Sequence, residues 1–216
     1  MELFEESLGL VDHIHNLRNA FRPEDDEASI TDNASLERAL KALTKDRQVA
    51  VRVMERLAHD VHFLREQAAN LFNNEIVIWR EADGGFSLRM FIWTPDSDDF
   101  IHDHNAPGML AGWWGKTLVE NYVRLNGGED SVEIQLKDKR VLEPGDTALV
   151  RPFDDGIHRV TCVGDMALSV SVYGRKMGDR SYILRFDPEN KRAQRIYHRS
   201  RRRREWAKRL LEKIQT

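Results

Sequence analysis

The spacing of apolar residues changes period near residue 75, and that change limits the architecture more than any other property of the 216-residue chain. Before it, apolar side chains recur every three or four residues. They run Val11, Ile14, Leu17 and Phe21, then, after a polar break from 23 to 33, Leu36, Ala39, Leu40 and Leu43 behind a Ser35 cap. A longer stripe follows: Ala50, Val53, Met54, Leu57, Val61, Leu64, Ala68 and Leu71. Side chains so spaced share one helix face, which predicts a helical N-terminal region whose apolar faces need a partner. After residue 75 the period is two. Phe86, Leu88, Met90 and Ile92 fall on one face of a strand, and Ser87, Arg89, Phe91 and Trp93 on the other. Asp83-Gly84-Gly85 makes a hairpin turn from a preceding strand over 76–79. Further short strands are predicted over 116–125, 132–136, 147–150, 158–163, 167–173 and 182–186, with turn residues such as Asn126-Gly127-Gly128 and Pro144-Gly145-Asp146 between them. Many short strands at close intervals argue for a sandwich or small barrel. The tail from 194 to 215 turns helical again, with Trp206, Leu210 and Ile214 on one face.

Composition narrows the setting. With 41% hydrophobic and 32% charged residues, the chain has enough apolar material for one main domain, or one with an appendage. No segment approaches the roughly 20 apolar residues of a membrane span. The opening residues Met1-Glu2-Leu3-Phe4-Glu5-Glu6 lack the basic and apolar regions of a secretion signal, so a cytoplasmic location is expected. The net charge of -3 hides an asymmetry: acids gather at Glu24, Asp25, Asp26 and Glu27, and bases at Arg201, Arg202, Arg203 and Arg204. The single cysteine, Cys162, excludes an intrachain disulfide and any multi-cysteine metal site, so metal ligands must come from the 8 histidines or from carboxylates.

Two of those histidines stand two apart, in Ile101-His102-Asp103-His104. On an extended segment His102 and His104 point to the same side while Asp103 faces away, a geometry that suits a metal ion. A His-x-His alone is weak, since two strand histidines are often surface or satisfied core groups. The third element is His158, which opens a β-branched stretch after Pro152 and Gly156. His13, His15, His59 and His62 fall in predicted helices, and His198 in the basic tail.

The succession His102-Asp103-His104, Gly112, Gly145-Asp146, Pro152, Gly156 and His158 resembles the two signature motifs of the cupin barrel. The glutamate ligand usual in cupins is absent, since Asn105-Ala106-Pro107-Gly108-Met109 stands in its place. A three-histidine cupin introduced by Ile-His-Asp-His, preceded by helices and followed by the alternating Ser169, Ser171 and Tyr173, is similar to the cysteine dioxygenase (thiol dioxygenase) family, bacterial type. The resemblance spans roughly residues 76–187. It implies an all-β, jelly-roll-like cupin barrel over 75–190 with a helical N-terminal region over 1–74 packed on it; with the tail's own pattern this leaves a basic C-terminal helix over 191–216.

By that resemblance His102, His104 and His158 bind one Fe(II) per chain, and a small thiol such as 3-mercaptopropionate or cysteine is oxidised to its sulfinate with O2 as co-substrate. Three neutral imidazoles leave the ion its full double positive charge, which favours an anionic thiolate. The resemblance makes Tyr173 the active-site tyrosine and Ser169 a serine of the same strand face. Some matches fail. Gly108-Met109 occupies the neighbourhood of the cysteine that cross-links to tyrosine in the animal enzymes, so Tyr173 is expected unmodified. Ser171 replaces the histidine of the family's serine-histidine-tyrosine relay, and Ile76 replaces the animal family's carboxylate-binding arginine. Bacterial mercaptopropionate enzymes use an arginine shortly after the tyrosine, which makes Arg180 the expected substrate clamp and catalytic partner of Tyr173. Arg89 is the second choice, with Arg175 and Arg185 behind it.

Two other readings stay open on the ligands alone. The same histidines could hold zinc, nickel or manganese in a hydrolase, lyase or isomerase, or the barrel could bind a ligand without catalysis. Trp113 and Trp114 could wall the pocket, or pack one inside and one outside; Cys162 reads as a small buried hydrophobe. The arginine run reads as the solvated face of a helix whose Trp206 and Leu210 dock on the body; no base-reading motif accompanies it, so a nucleic-acid partner is not expected. Pairing of that run with the acidic segment of the same or a neighbouring chain is a further option, and oligomeric state is left open.

Overall fold

Alternation over residues 87–93 places one strand between two cores. A computed structural model of the chain describes residues 7–21, 33–97 and 100–214, the side chain of Glu205 excepted. The acidic cluster at Glu24, Asp25, Asp26 and Glu27 lies outside the described residues. The strands are β1 (Glu75–Arg80), β2 (Ser87–Trp93), β3 (Gly108–Asn126), β4 (Glu133–Leu142), β5 (Thr147–Val150), β6 (His158–Tyr173), β7 (Ile183–Asp187) and β8 (Arg192–Ile196). They pair antiparallel in the order β1-β2-β6-β3-β4, with β5 also on β3, while β7 and β8 form a second, two-stranded sheet. Leu88 and Met90, with Phe86, pack against the helical region, and Phe91 and Trp93 on the opposite face join Leu110, Val119, Val150 and Val160 inside the barrel.

The helices are α1 (Val11–Ala20), α2 (Asn33–Lys45), α3 (Arg47–His59), α4 (Val61–Gln67) and α5 (Arg199–Ile214). Ile14, Leu17, Leu36, Leu40 and Leu43 are fully buried, as the helical spacing requires. The longer stripe is not one helix. Asp60 takes an extended conformation and its carboxylate accepts the backbone N–H groups of His62 and Phe63, ending α3 and capping α4. Such a cap stabilises a helix start by about 1 kcal/mol. Val61 and Leu64 consequently face solvent.

Three expectations about the strands change. The strand predicted over 132–136 runs on as β4 to Leu142. β3 starts at Gly108, eight residues before the predicted 116, and the strands predicted over 158–163 and 167–173 are one continuous β6. β3 and β6 run side by side throughout, and their register shifts around Trp114. Gly115 (φ 67°) and Gly164 (φ 96°) take left-handed conformations there, which lets the paired ribbon bend without breaking. The two sheets meet across the histidine segment: His102 exchanges both backbone hydrogen bonds with His158 at 2.9 Å and also bridges Arg185 of β7.

The C-terminal region differs as well. Residues 192–196 form β8 against β7, so the helix begins only at Arg199. Trp206 (60% exposed), Leu210 (58%) and Ile214 (70%) do not dock on the body. Eight basic side chains on α5 keep it solvated along most of its circumference. Among the described residues, no helix is long and apolar enough to cross a membrane.

Candidate metal centre

His102 and His104 sit on the extended segment between β2 and β3, and His158 opens β6 beside it. Their side chains converge: one ligand atom from each lies within 4.8 Å of the others, and all three residues are buried. His104 Nε2 and His158 Nε2 are 3.0 Å apart. Two nitrogens each at about 2.1 Å from one ion and at right angles to each other would be separated by about 3.0 Å, so this pair already has the spacing of adjacent ligands. His102 donates from Nδ1 to the carbonyl oxygen of Phe100 at 2.9 Å, which fixes its tautomer and leaves Nε2 as the lone-pair donor. Burial pushes the His102 imidazole down to about 4, and burial together with the neighbouring rings holds His104 and His158 well below the usual histidine range. All three are therefore neutral at pH 7, the state that binds a metal. A divalent transition-metal ion fits this donor set.

The ligand segment is held from behind by Asp103. Its carboxylate is fully buried, accepts the Leu184 N–H at 2.7 Å, and accepts Nη1 of Arg180 at 2.8 Å. Nη2 of Arg180 donates to the His104 carbonyl at 3.2 Å, and the guanidinium lies over the rings of Phe153 and Tyr182. Asp103 thus faces away from the histidines, as the alternation requires. Arg180, expected to clamp substrate, instead has its fork on the far side of the ligand segment and does not line the cavity at the histidines. The physical reason is Asp103: a buried carboxylate without a cation is costly, and Arg180 is the cation that reaches it.

Beside His104 opens a cavity of about 510 Å³ whose lining includes Tyr173, Arg89, Phe91, Arg80, Lys176, His198 and Arg201. The Tyr173 ring stacks on His104 with centroids 5.3 Å apart, and the Arg89 guanidinium lies 5.1 Å over the Tyr173 ring. Burial pushes the Tyr173 phenol up to about 12, so it carries its proton at neutral pH. Arg89 is fixed by Glu75, whose one oxygen takes Nη1 at 2.5 Å while the other accepts the N–H groups of Leu71 and Phe72. A second, apolar void of about 20 Å³ lies beside His102 and His158, walled by Phe72, Phe100, Leu110, Val150 and Val160 with Ser171 and Tyr173 at its edge.

The remaining expected residues fall out as follows. Ser169 is completely buried and accepts Trp93 Nε1 at 2.8 Å, so its hydroxyl braces a tryptophan and lines neither cavity; Ser171 is the serine beside Tyr173. Gly108 pairs directly with Tyr173, and a Cβ there would press on the Val172 carbonyl and lie 2.9 Å from Tyr173 Cδ1. Glycine at 108 is thus a packing requirement of the tyrosine. Trp113 is buried under the helices, Trp114 is exposed, and neither walls the cavity. Cys162 is half-buried on β6 and free. Sequence reasoning passed over Glu75, Arg80 and His198. The available signal was Arg89, a charge at an inward strand position, which calls for a buried carboxylate nearby.

The barrel, its two flanking motifs and the converged histidines form one recognisable arrangement. The chain folds as a cupin barrel with added helices. No family model matches the chain, and no curated protein matches it. Solved structures that resemble it include DMSP lyase DddQ from Ruegeria pomeroyi, at 11% identity over 86% of this chain and 97% of that one, with a TM-score of 0.49. A structure of DMSP lyases RdDddP and RnDddQII matches at 17% identity over 85% of this chain and 100% of that one, TM-score 0.44. A cupin-like protein from Thermotoga maritima matches at 12% identity over 57% and 75%, TM-score 0.36. At these identities and scores the likenesses carry nothing about chemistry, which the site's own residues must supply.

Proposed function

We propose that the chain is an iron(II)-dependent thiol dioxygenase that converts a small thiol acid, of the 3-mercaptopropionate or cysteine kind, to its sulfinate with both atoms of dioxygen. The observation that carries this reading is the convergence of three neutral imidazoles, with no carboxylate among them, beside a cavity in which Arg89 and Tyr173 stand side by side. A ferrous ion on these ligands, its double charge undiminished, would supply the attraction that turns a thiol into a bound thiolate and a route by which the sulfur's electrons reach dioxygen.

The chain's own residues divide the remaining work. Arg89, pre-oriented by Glu75, offers its guanidinium to a substrate carboxylate, and the planar fork suits that group better than an ammonium would. Tyr173 keeps its proton at Oη and can donate a hydrogen bond to an anionic atom beside His104. The 20 Å³ apolar void by His102 and His158 has room for about one water-sized group and offers it few polar partners, an environment suited to a small apolar molecule such as dioxygen. Arg180 acts as a positioning residue through Asp103.

The test is oxygen uptake by the iron-loaded protein with cysteine, cysteamine, 3-mercaptopropionate and mercaptosuccinate, with His158→Ala as control. Uptake with a thiol acid, equimolar sulfinate, and loss of both iron and activity in the variant are expected. Silence toward every thiol with iron bound would overturn the reading and favour a lyase or hydrolase using another metal at the same histidines.

A further inference from the structure

We infer that the cavity beside His104 holds a ligand with two separated anionic groups, one at Arg89 and a second at Arg80 and Arg201, which line the same cavity. This rests on the reading above that the cavity is the substrate's. At about 510 Å³ it is larger than a three-carbon thiol acid needs and falls in the range of about 300–1,000 Å³ that houses drug-sized ligands. Its walls carry Arg80, Arg89, Lys176 and Arg201 and not one aspartate or glutamate, on a chain whose net charge is negative. Glu75 makes its direct ion pair with Arg89 and reaches Arg80 only through its field. Among the described residues, Arg80, Lys176 and Arg201 make no ion pair.

Arg80 reaches this cavity because of a distortion in β1. Ile76 and Ile78 point to the helix-covered core, and strict alternation would send residue 80 the same way. The register with β2 shifts between Val77 and Trp79, so Trp79 joins Ile78 in the core and Arg80 emerges on the cavity side opposite Ser87. A bulge of this kind re-aims a side chain. Arg80 is then one pleat further out than Arg89, since Ser87 and Arg89 are successive residues of one β2 face; two residues of strand place the two levels about 7 Å apart. Arg201, from the first turns of α5, lines the same cavity, which gives part of the basic run a place in it. Arg80 is exposed at the cavity and feels the positive charge of Arg89, an arrangement that an anion beside it would relieve.

The experiment titrates the metal-loaded protein, at about 0.1 M salt to suppress loose surface binding, with butyrate, succinate, glutarate and adipate by calorimetry, and repeats it with the Arg80→Ala/Arg201→Ala variant. Adipate should bind at least about tenfold more tightly than butyrate, and the variant should lose that advantage while keeping its metal and its butyrate affinity. Equal affinities across the series, an advantage that survives in the variant, or no binding by any acid would overturn the inference. The same protein is then assayed for oxygen uptake with 3-mercaptopropionate. Dicarboxylate preference without thiol oxidation would sink the dioxygenase reading alone, and thiol oxidation without dicarboxylate preference would sink the second anionic position alone.

Discussion

The position of one proton defines what Tyr173 can contribute. Its phenol is held neutral up to about 12, so between pH 7 and 10 it is a hydrogen-bond donor and never an ionised base. Tyr173→Phe removes the donor while keeping the ring on His104, and should lower kcat by about 100-fold at unchanged iron content, with no loss of a titration between pH 7 and 10. A variant as fast as the parent would remove the hydroxyl from the chemistry. Arg180 makes the opposite kind of prediction. Arg180→Ala strips the cation from a carboxylate with no solvent exposure, and should cost about 3 kcal/mol, a fall in Tm of about 6–12 °C, together with weaker iron retention. Arg89→Gln should instead raise KM for 3-mercaptopropionate about tenfold or more and leave iron in place. If the two variants exchange these phenotypes, the clamp is Arg180 after all.

Among the elements, the paired β3–β6 ribbon carries the site. Gly108, Leu110 and Gly112 of β3 oppose Tyr173, Ser171 and Ser169 of β6, so the separation of these two strands sets the width of the interior. Gly108→Ala forces a methyl group against the Val172 carbonyl and the Tyr173 ring, and either the strands part or the tyrosine turns. A loss of about 2 kcal/mol in denaturant unfolding is expected, with a larger proportional loss of turnover than of stability. Unchanged stability and turnover would mean that the ribbon yields freely there. The alternation in β2 was legible in the sequence and placed both of its faces correctly. The extension of β3 to Gly108 was not: Gly108, Gly112 and Gly115 weaken any single-strand signal, and β6 supplies the pairing that compensates.

Across the whole molecule, the buried imidazoles couple stability to pH. His102 titrates near 4 when folded and near 6.5 when unfolded, so below pH 6.5 the unfolded chain takes up the proton first and stability falls as pH drops toward 4. His102 alone accounts for about 3 kcal/mol by pH 4, and His104 and His158 act in the same direction. At the alkaline end Tyr173 works with the reverse sign: its raised value means stability is lost as pH rises from about 10 to 12. Urea unfolding of metal-free protein at pH 7.5, 6, 5 and 4.5 should therefore give a steadily falling midpoint, and a flat profile would mean the imidazoles are hydrated.

Covalent geometry repeats every 3.6 residues in a helix and every two in a strand, so the sequence by itself determined the helical start, the inward parity of His102 and His104, the outward parity of Asp103 and the split faces of β2. Those properties need only neighbours in the chain. The tertiary structure alone decided that His158 meets His104 at 3.0 Å, because that depends on the bridge between residues 102 and 158. It also decided that Arg180 pairs with Asp103, that a bulge turns Arg80 into the cavity, and that the apolar face of α5 stays exposed. Register, ion-pair choice and docking join groups far apart in sequence, and each is settled by competition among several partners that local periodicity cannot rank.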